Sequence, residues 1–180
     1  MTLFTNLKIE TKLKLGFAII FVLMLIMGVF SWHQTNDMHE QTTYLYNHPF
    51  QVRRIIGEVK SNVNLMHRDM KDLFIALDEA ELQQTLMNLE QYKEQTQRLI
   101  DLLYLKYLGP KDDIDSIEIS FVHWNSMREE TIRLLRLGQI KEAAQRTKST
   151  GIAGSEVVVL MNHIRVIDQY ATAKADNFFI

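Results

Sequence analysis

The chain has no cysteine, which excludes a disulfide framework and thiolate metal sites. Proline occurs only at 49 and 110, and glycine only seven times in 180 residues. So few breakers, with no clear alternating strand pattern, read as long helices. Net charge is −2, which removes the bulk electrostatic case for nucleic acid as a partner. No nucleophile–base pair, phosphate-cradling glycine loop or HExxH helix is present, and the carboxylates are spread over polar faces. An enzyme is therefore not expected, nor a cofactor. The histidines at 33, 39, 48, 67, 123 and 163 include no i, i+4 pair, so no metal site is expected, although His67, His123 and His163 fall on three different helices.

Against these absences stands one long apolar run. Leu15 to Trp32 is 18 residues without a charge. A helix of that length spans about 27 Å, close to the ~30 Å hydrocarbon core of a bilayer. Lys8, Lys12 and Lys14 precede it against Glu10, whereas the first lysine or arginine after it is Arg53. The positive-inside bias places residues 1–14 in the cytoplasm and residues 33–180 outside. A secretory signal shares the basic start, but its apolar stretch is shorter and ends in a small-x-small pair, which Gly28-Val29-Phe30-Ser31-Trp32 lacks. Trp32 suits a membrane interface. Leu3, Phe4, Leu7 and Leu13 suggest a short amphipathic lead-in on the cytoplasmic surface.

The remainder reads as four long helices. Val52, Ile56, Val59, Val63, Met66, Met70, Leu73 and Leu77 recur at alternating spacings of four and three, a bundle seam that extends back to Leu45 and Met38. Asn47-His48-Pro49 interrupts it, predicting a kink or a new helix start. Asp78 and Glu79 mark a turn. The next helix places Leu82, Leu86, Leu89, Thr96, Leu99, Leu103 and Tyr107 on one side, and Gly109-Pro110 ends it. Asp112 or Asp113 is the expected cap of a helix with Ile117, Phe121, Trp124, Thr131 and Leu135 inward. Gly138 breaks it. A short helix over 139–148 turns Ile140, Ala143 and Ala144 inward. Gly151 and Gly154 bracket a loop, Ser155 is the expected N-cap, and the last helix lines up Val157, Leu160, Ile164, Ile167, Ala171 and Phe178. The predicted fold is all-α: an N-terminal transmembrane helix followed by an antiparallel up-down four-helix bundle. Phe178-Phe179-Ile180 continues a rising apolar pattern, and a second transmembrane helix is expected to begin about there in a longer chain.

Beside the first seam, Arg53, Lys60 and His67 fall seven residues apart, with Lys71 four beyond His67 and Arg54 and Arg68 one position further round. Glu58, Asp69 and Asp72 lie at other angles. This basic flank suits a small anionic ligand such as a carboxylate, held by Arg53, His67, Arg68 and Lys71. The competing reading pairs these side chains with Glu90, Glu94 or Asp101 of the next helix, or leaves them facing water. His48, before Pro49, is a further ligand candidate, with local turn chemistry as its competitor. Phe121 and Trp124 read as core.

Several segments resemble a known family. Leu7-Lys-Ile-Glu-Thr-Lys-Leu-Lys-Leu-Gly-Phe17 resembles the N-terminal lead-in of bacterial methyl-accepting chemotaxis receptors. Leu137-Gly-Gln-Ile-Lys-Glu-Ala-Ala144 is similar to the step before the last helix of their four-helix-bundle sensor domain. Leu45-Tyr-Asn-His-Pro-Phe50 and Met66-His-Arg-Asp-Met-Lys-Asp72 look like motifs of a subgroup shared with sensor kinases and diguanylate cyclases. The resemblance implies a periplasmic sensor on a bacterial inner membrane, working as a parallel homodimer, without implying a particular ligand or output domain. Beside a purely structural anchored bundle, two functions follow as expectations. One is a ligand-sensing module that transmits through its first and last helices. The other is a protein–protein interaction module that docks a periplasmic binding protein and takes no small molecule.

Overall fold

The computed structural model describes residues 8–176, and the side chains among them outside residues 40–47. Two compact units divide the chain, Met1–Tyr44 and Leu45–Ile180.

The first unit holds most of helix α1 (Ile9–Leu45). Over Ile9–His39 this helix is long and apolar enough to cross a membrane, and none of its apolar window is buried. Phe17, Leu23, Phe30 and Trp32 all stand exposed. The predicted lead-in residues Leu3, Phe4 and Leu7 lie outside the described residues, and Leu13 is exposed.

The second unit begins with a single π turn, Tyr46–Phe50, and continues as α2 (Gln51–Asp72), α3 (Glu79–Lys106), α4 (Lys111–Arg136), α5 (Ile140–Thr147) and α6 (Ile152–Asp176). Pro49, which lacks an N–H and crowds the preceding turn, sits buried inside the π turn. The interruption expected at Asn47-His48-Pro49 is thus a locally widened helix rather than a break. Helices α2, α3, α4 and α6 form the bundle. Helix α2 packs on α3 and on α6, α4 packs on α6, and the α3–α4 face is the most loosely closed of the four.

The first seam is buried from Val52 through Leu73, and Ile55 joins it. Leu77 does not: α2 ends at Asp72, and Leu77 stands 92% exposed in the turn to α3. The chain reverses there because Asp78 caps α3, accepting from the Glu81 N–H at 2.8 Å, while the Glu81 carboxylate accepts from the Leu77 N–H at 2.8 Å. The backward extension of the seam fails at Met38, which is exposed, and the Leu45 side chain lies outside the described residues. In α3 the predicted Leu89, Thr96, Leu103 and Tyr107 are buried, with Leu82, Leu86 and Leu99 packed partly against them. Ile100, absent from the predicted face, is fully buried.

Helix α4 starts earlier than expected. Its N-cap is Pro110, so Asp112 and Asp113 fall in the first turn, where carboxylates favour the helix dipole, and Asp113 instead accepts from the Tyr107 hydroxyl at 2.6 Å. Ile117, Phe121, Trp124 and Thr131 are buried as predicted, and Leu134 is more buried than Leu135. Gly138 ends the helix with φ +74°, a left-handed conformation that glycine adopts without strain.

In α5, Ala143 is buried but Ile140 is 55% exposed, because the short helix presents only one turn to α4 and α6. Ser155 is not an N-cap. Helix α6 begins at Ile152, and the Ser155 hydroxyl donates back to the Ile152 carbonyl at 3.1 Å. Gly151 and Gly154 serve close approach instead: a Cβ at either would collide with the carbonyl oxygens of Gln145 or Lys148. Val157, Leu160, Ile164, Ile167 and Ala171 are buried, and Phe178 lies outside the described residues.

Candidate functional site

Burying the seam of α2 dictates where its charged neighbours go. Arg53, Arg54 and Lys60 flank Ile56 and emerge beside α6. There, with Asn64, Asn162, Arg165 and Asp168, they line an open groove of about 710 Å³ between α2 and α6. Four cations face one acid among these lining residues. Arg53 Nε lies 3.6 Å from Asp168 Oδ1 across the groove, with both side chains about half exposed. Arg54 Nε lies 3.8 Å from Glu58 on its own helix. At such exposure these pairs orient side chains more than they stabilise the fold.

The other predicted residues lie elsewhere. His67, Arg68 and Lys71 sit four to five turns further along α2, about 20–27 Å from Arg53 by helical rise. Arg68 donates from Nε (3.3 Å) and Nη2 (3.1 Å) to Asp69 Oδ1, and its Nε stands 3.7 Å from Asp72. The flank is therefore not free of acids, as the sequence pattern implied. Nor do these bases pair with Glu90, Glu94 or Asp101 of α3 in the ion pairs observed among the described residues. A long side chain on a helix reaches one turn up or down its own surface, and Asp72 lies at i+4 from Arg68. His67 is half-buried, and burial first, then the nearby Lys71 ammonium, holds its pKa below the usual histidine value.

His48 is drawn into turn chemistry. Its Nδ1 lies 3.3 Å from the carbonyl oxygen of Lys106, at the end of α3. The same region ties the α3–α4 turn to α6, since Tyr170 donates to the Leu108 carbonyl at 3.2 Å and its ring meets Tyr107 edge-on at 5.1 Å. Lys111 closes the end of α3 by donating to the carbonyls of Tyr104 (2.7 Å) and Tyr107 (2.8 Å). Burial and the Asp113 carboxylate raise the Tyr107 pKa, so this hydroxyl stays protonated at any ordinary pH.

Sequence reasoning missed Arg128. It occupies the α4 seam between Trp124 and Thr131, and only 3% of it is exposed. Its guanidinium lies over the Trp124 ring, 5.2 Å from the centroid. Burial lowers its pKa to about 10 against the pull of Glu90 and Glu129, so it remains charged at neutral pH. The available signal was spacing: 117, 121, 124, 128, 131 and 135 alternate by four and three, and 128 is the charged member of that row.

Residues 6–175 match the family model described as a four-helix-bundle sensory module for signal transduction. No curated protein and no solved structure matches the chain. A span covering nearly every residue, together with the all-helical bundle, establishes that the chain belongs to the family of four-helix-bundle sensory modules for signal transduction.

Proposed function

We propose that residues 33–180 are the extracytoplasmic ligand-sensing module of a bacterial membrane receptor, anchored by α1, and that the α2–α6 groove takes a small anion such as an organic carboxylate. The observation that carries this reading is the groove itself, which Arg53, Arg54, Lys60 and Arg165 line with Asp168 as the one acid among the lining residues. A carboxylate competes with Asp168 for Arg53, gaining charge-assisted hydrogen bonds where the existing pair is long. Ligand held between α2 and α6 favours one relative position of those helices over another, which is the differential affinity that transmission needs. Of the residues picked from sequence, Arg53 belongs to this groove. Arg68 is committed to Asp69 and Asp72, and His48 to the α3 terminus. The receptor is proposed to act as a homodimer with its N-terminus cytoplasmic, in keeping with the lysines ahead of Leu15.

Calorimetry on the full chain in detergent with a panel of small organic acids tests the groove. Arg53→Ala is expected to lose about 2 kcal/mol or more of binding, the scale of a charged hydrogen bond. Arg68→Ala is expected to bind as wild type. No binding by any acid sinks the anion reading. It would favour docking of a periplasmic binding protein, a second reading motivated by Ile75, Leu77, Leu137, Ile140 and Ile152, all more than half exposed at the turns of one bundle end. An alkaline phosphatase fusion after Ile180 is expected to be active, and an inactive one would reverse the orientation.

A further inference from the structure

The α2–α6 groove has a paired end and an unpaired end. At the first, Arg53 stands against Asp168 and Arg54 against Glu58. At the second lie Lys60, Asn64, Asn162 and Arg165, all lining the same groove and all exposed. Among the described residues, no side-chain hydrogen bond or ion pair engages any of these four. The Arg53–Asp168 pair sets the register of the two antiparallel helices. Lys60 lies seven residues up α2 from that pair, and Asn162 six residues back along α6, so the two stand within about 2 Å of one level. Arg165 lies between the ends, about 4.5 Å from the level of the pair.

Gly57 lines the groove between the two ends. A glycine inside a helix costs stability relative to alanine, and packing does not ask for one here. A Cβ at this position would meet no atom within 4 Å. What the missing side chain provides is clear space along the groove.

We propose that the groove selects a sugar diacid, a chain of hydroxyl-bearing carbons with a carboxylate at each end, such as glucarate; this rests on the anion reading above. One carboxylate displaces Asp168 from Arg53. The other goes to Lys60 and Arg165, which have no acid to give up. Arg53 and Lys60 are about 10 Å apart by helical rise, so a compact anion such as inorganic phosphate cannot serve both ends. A monocarboxylate leaves one end without a counter-charge. The amides select what lies between the charges. A bare hydrocarbon chain would strip water from Asn64 and Asn162 and return nothing. A hydroxyl both donates to an amide oxygen and accepts from an amide nitrogen. Asp168, once released from Arg53, accepts from a hydroxyl at its own end. The bound chain touches α2 through Arg53 and Lys60 and α6 through Asn162 and Arg165, so its affinity depends on the relative position of those helices.

Calorimetry on the full chain in detergent compares three probes. D-glucarate carries both features, D-gluconate keeps the hydroxyls with one carboxylate, and adipate keeps both carboxylates without hydroxyls. Glucarate is expected to bind at least tenfold more tightly than either. Lys60→Met and Arg165→Met are each expected to remove its lead over gluconate. The double variant Asn64→Ala, Asn162→Ala is expected to remove its lead over adipate. Gly57→Leu is expected to melt no lower than wild type and yet to bind glucarate tenfold or more weakly, which separates a blocked groove from a damaged fold. The proposal is overturned if glucarate holds no lead over the other two, or if that lead survives in the variants that melt as wild type. Binding of gluconate or adipate that is lost in Arg53→Ala but indifferent to Lys60 and Arg165 would overturn the diacid and keep the anion reading. No binding by any of the three overturns the diacid, and the anion reading falls with it only if the wider panel of organic acids also fails to bind.

Discussion

In α1, residues 15–32 are apolar on every side, and all of them are exposed. In α2, apolar residues occupy one seam, and that seam is buried from Val52 to Met70 while Arg53, Arg54 and Lys60 stay outside it. Both are helices for the same backbone reasons, but they solve different solvation problems. A helix with an apolar stripe buries that stripe against neighbours and keeps its other face in water. A helix that is apolar all round has no face for water, and the length and composition of α1 fit the apolar core of a bilayer. Hydrophobicity alone therefore does not say what a helix packs against; its distribution around the axis does.

The comparison breaks most visibly at methionine. Met66 in α2 is fully buried, whereas Met24 in α1 is 67% exposed. Met66→Ala is expected to cost about 2–5 kcal/mol by opening a cavity in the bundle. Met24→Ala is expected to move bundle stability by less than about 0.5 kcal/mol. Thermal unfolding in detergent measures both, and equal losses would mean that α1 packs into the fold. A charge sharpens the same contrast. Ile20→Arg is expected to disfavour membrane insertion by about 2.5–3.5 kcal/mol, read as the membrane-associated fraction after expression, while leaving unfolding of the soluble-facing bundle unchanged. Unaltered membrane association would argue against α1 as the anchor.

The smallest effect lies on the flank of α2. His67 has a lowered pKa when folded, so the unfolded chain takes up its proton first as pH falls. Folding stability is therefore expected to drop as pH decreases through about 6.5, the ordinary histidine value, and to level off below the folded pKa. His67→Gln should flatten that part of the pH–stability curve. An unchanged slope would assign the proton uptake to another histidine.

Much of the fold was legible because helical bundles are written in a local code. The four-three spacing identified the buried members of α2, and Asp78, Gly109-Pro110 and Gly138 marked the reversals at which the helices do end. The misses arose where tertiary closure overrode local preference. Leu77 continued the seam by spacing, yet the Asp78 cap had to turn the chain before it. Ser155 looked like a cap, but Gly151 and Gly154 allow α6 to start against the backbone of α5, one turn earlier. The candidate site was only half legible. Arg53 lies where a basic flank predicts, but its companion Arg165 comes from α6, and no pattern within α2 could name it.

By itself, the sequence determined the helical class, the apolar run, its lysine asymmetry and the seam positions, because each depends on residues within a few turns of one another. The tertiary structure decided which helices face one another. That choice set Asp168 against Arg53, buried Arg128 in the core, and left α3 and α4 loosely joined although they follow each other in the chain. Such pairings depend on contacts between residues more than a hundred positions apart, as with Arg53 and Asp168, and helix periodicity carries no information at that range.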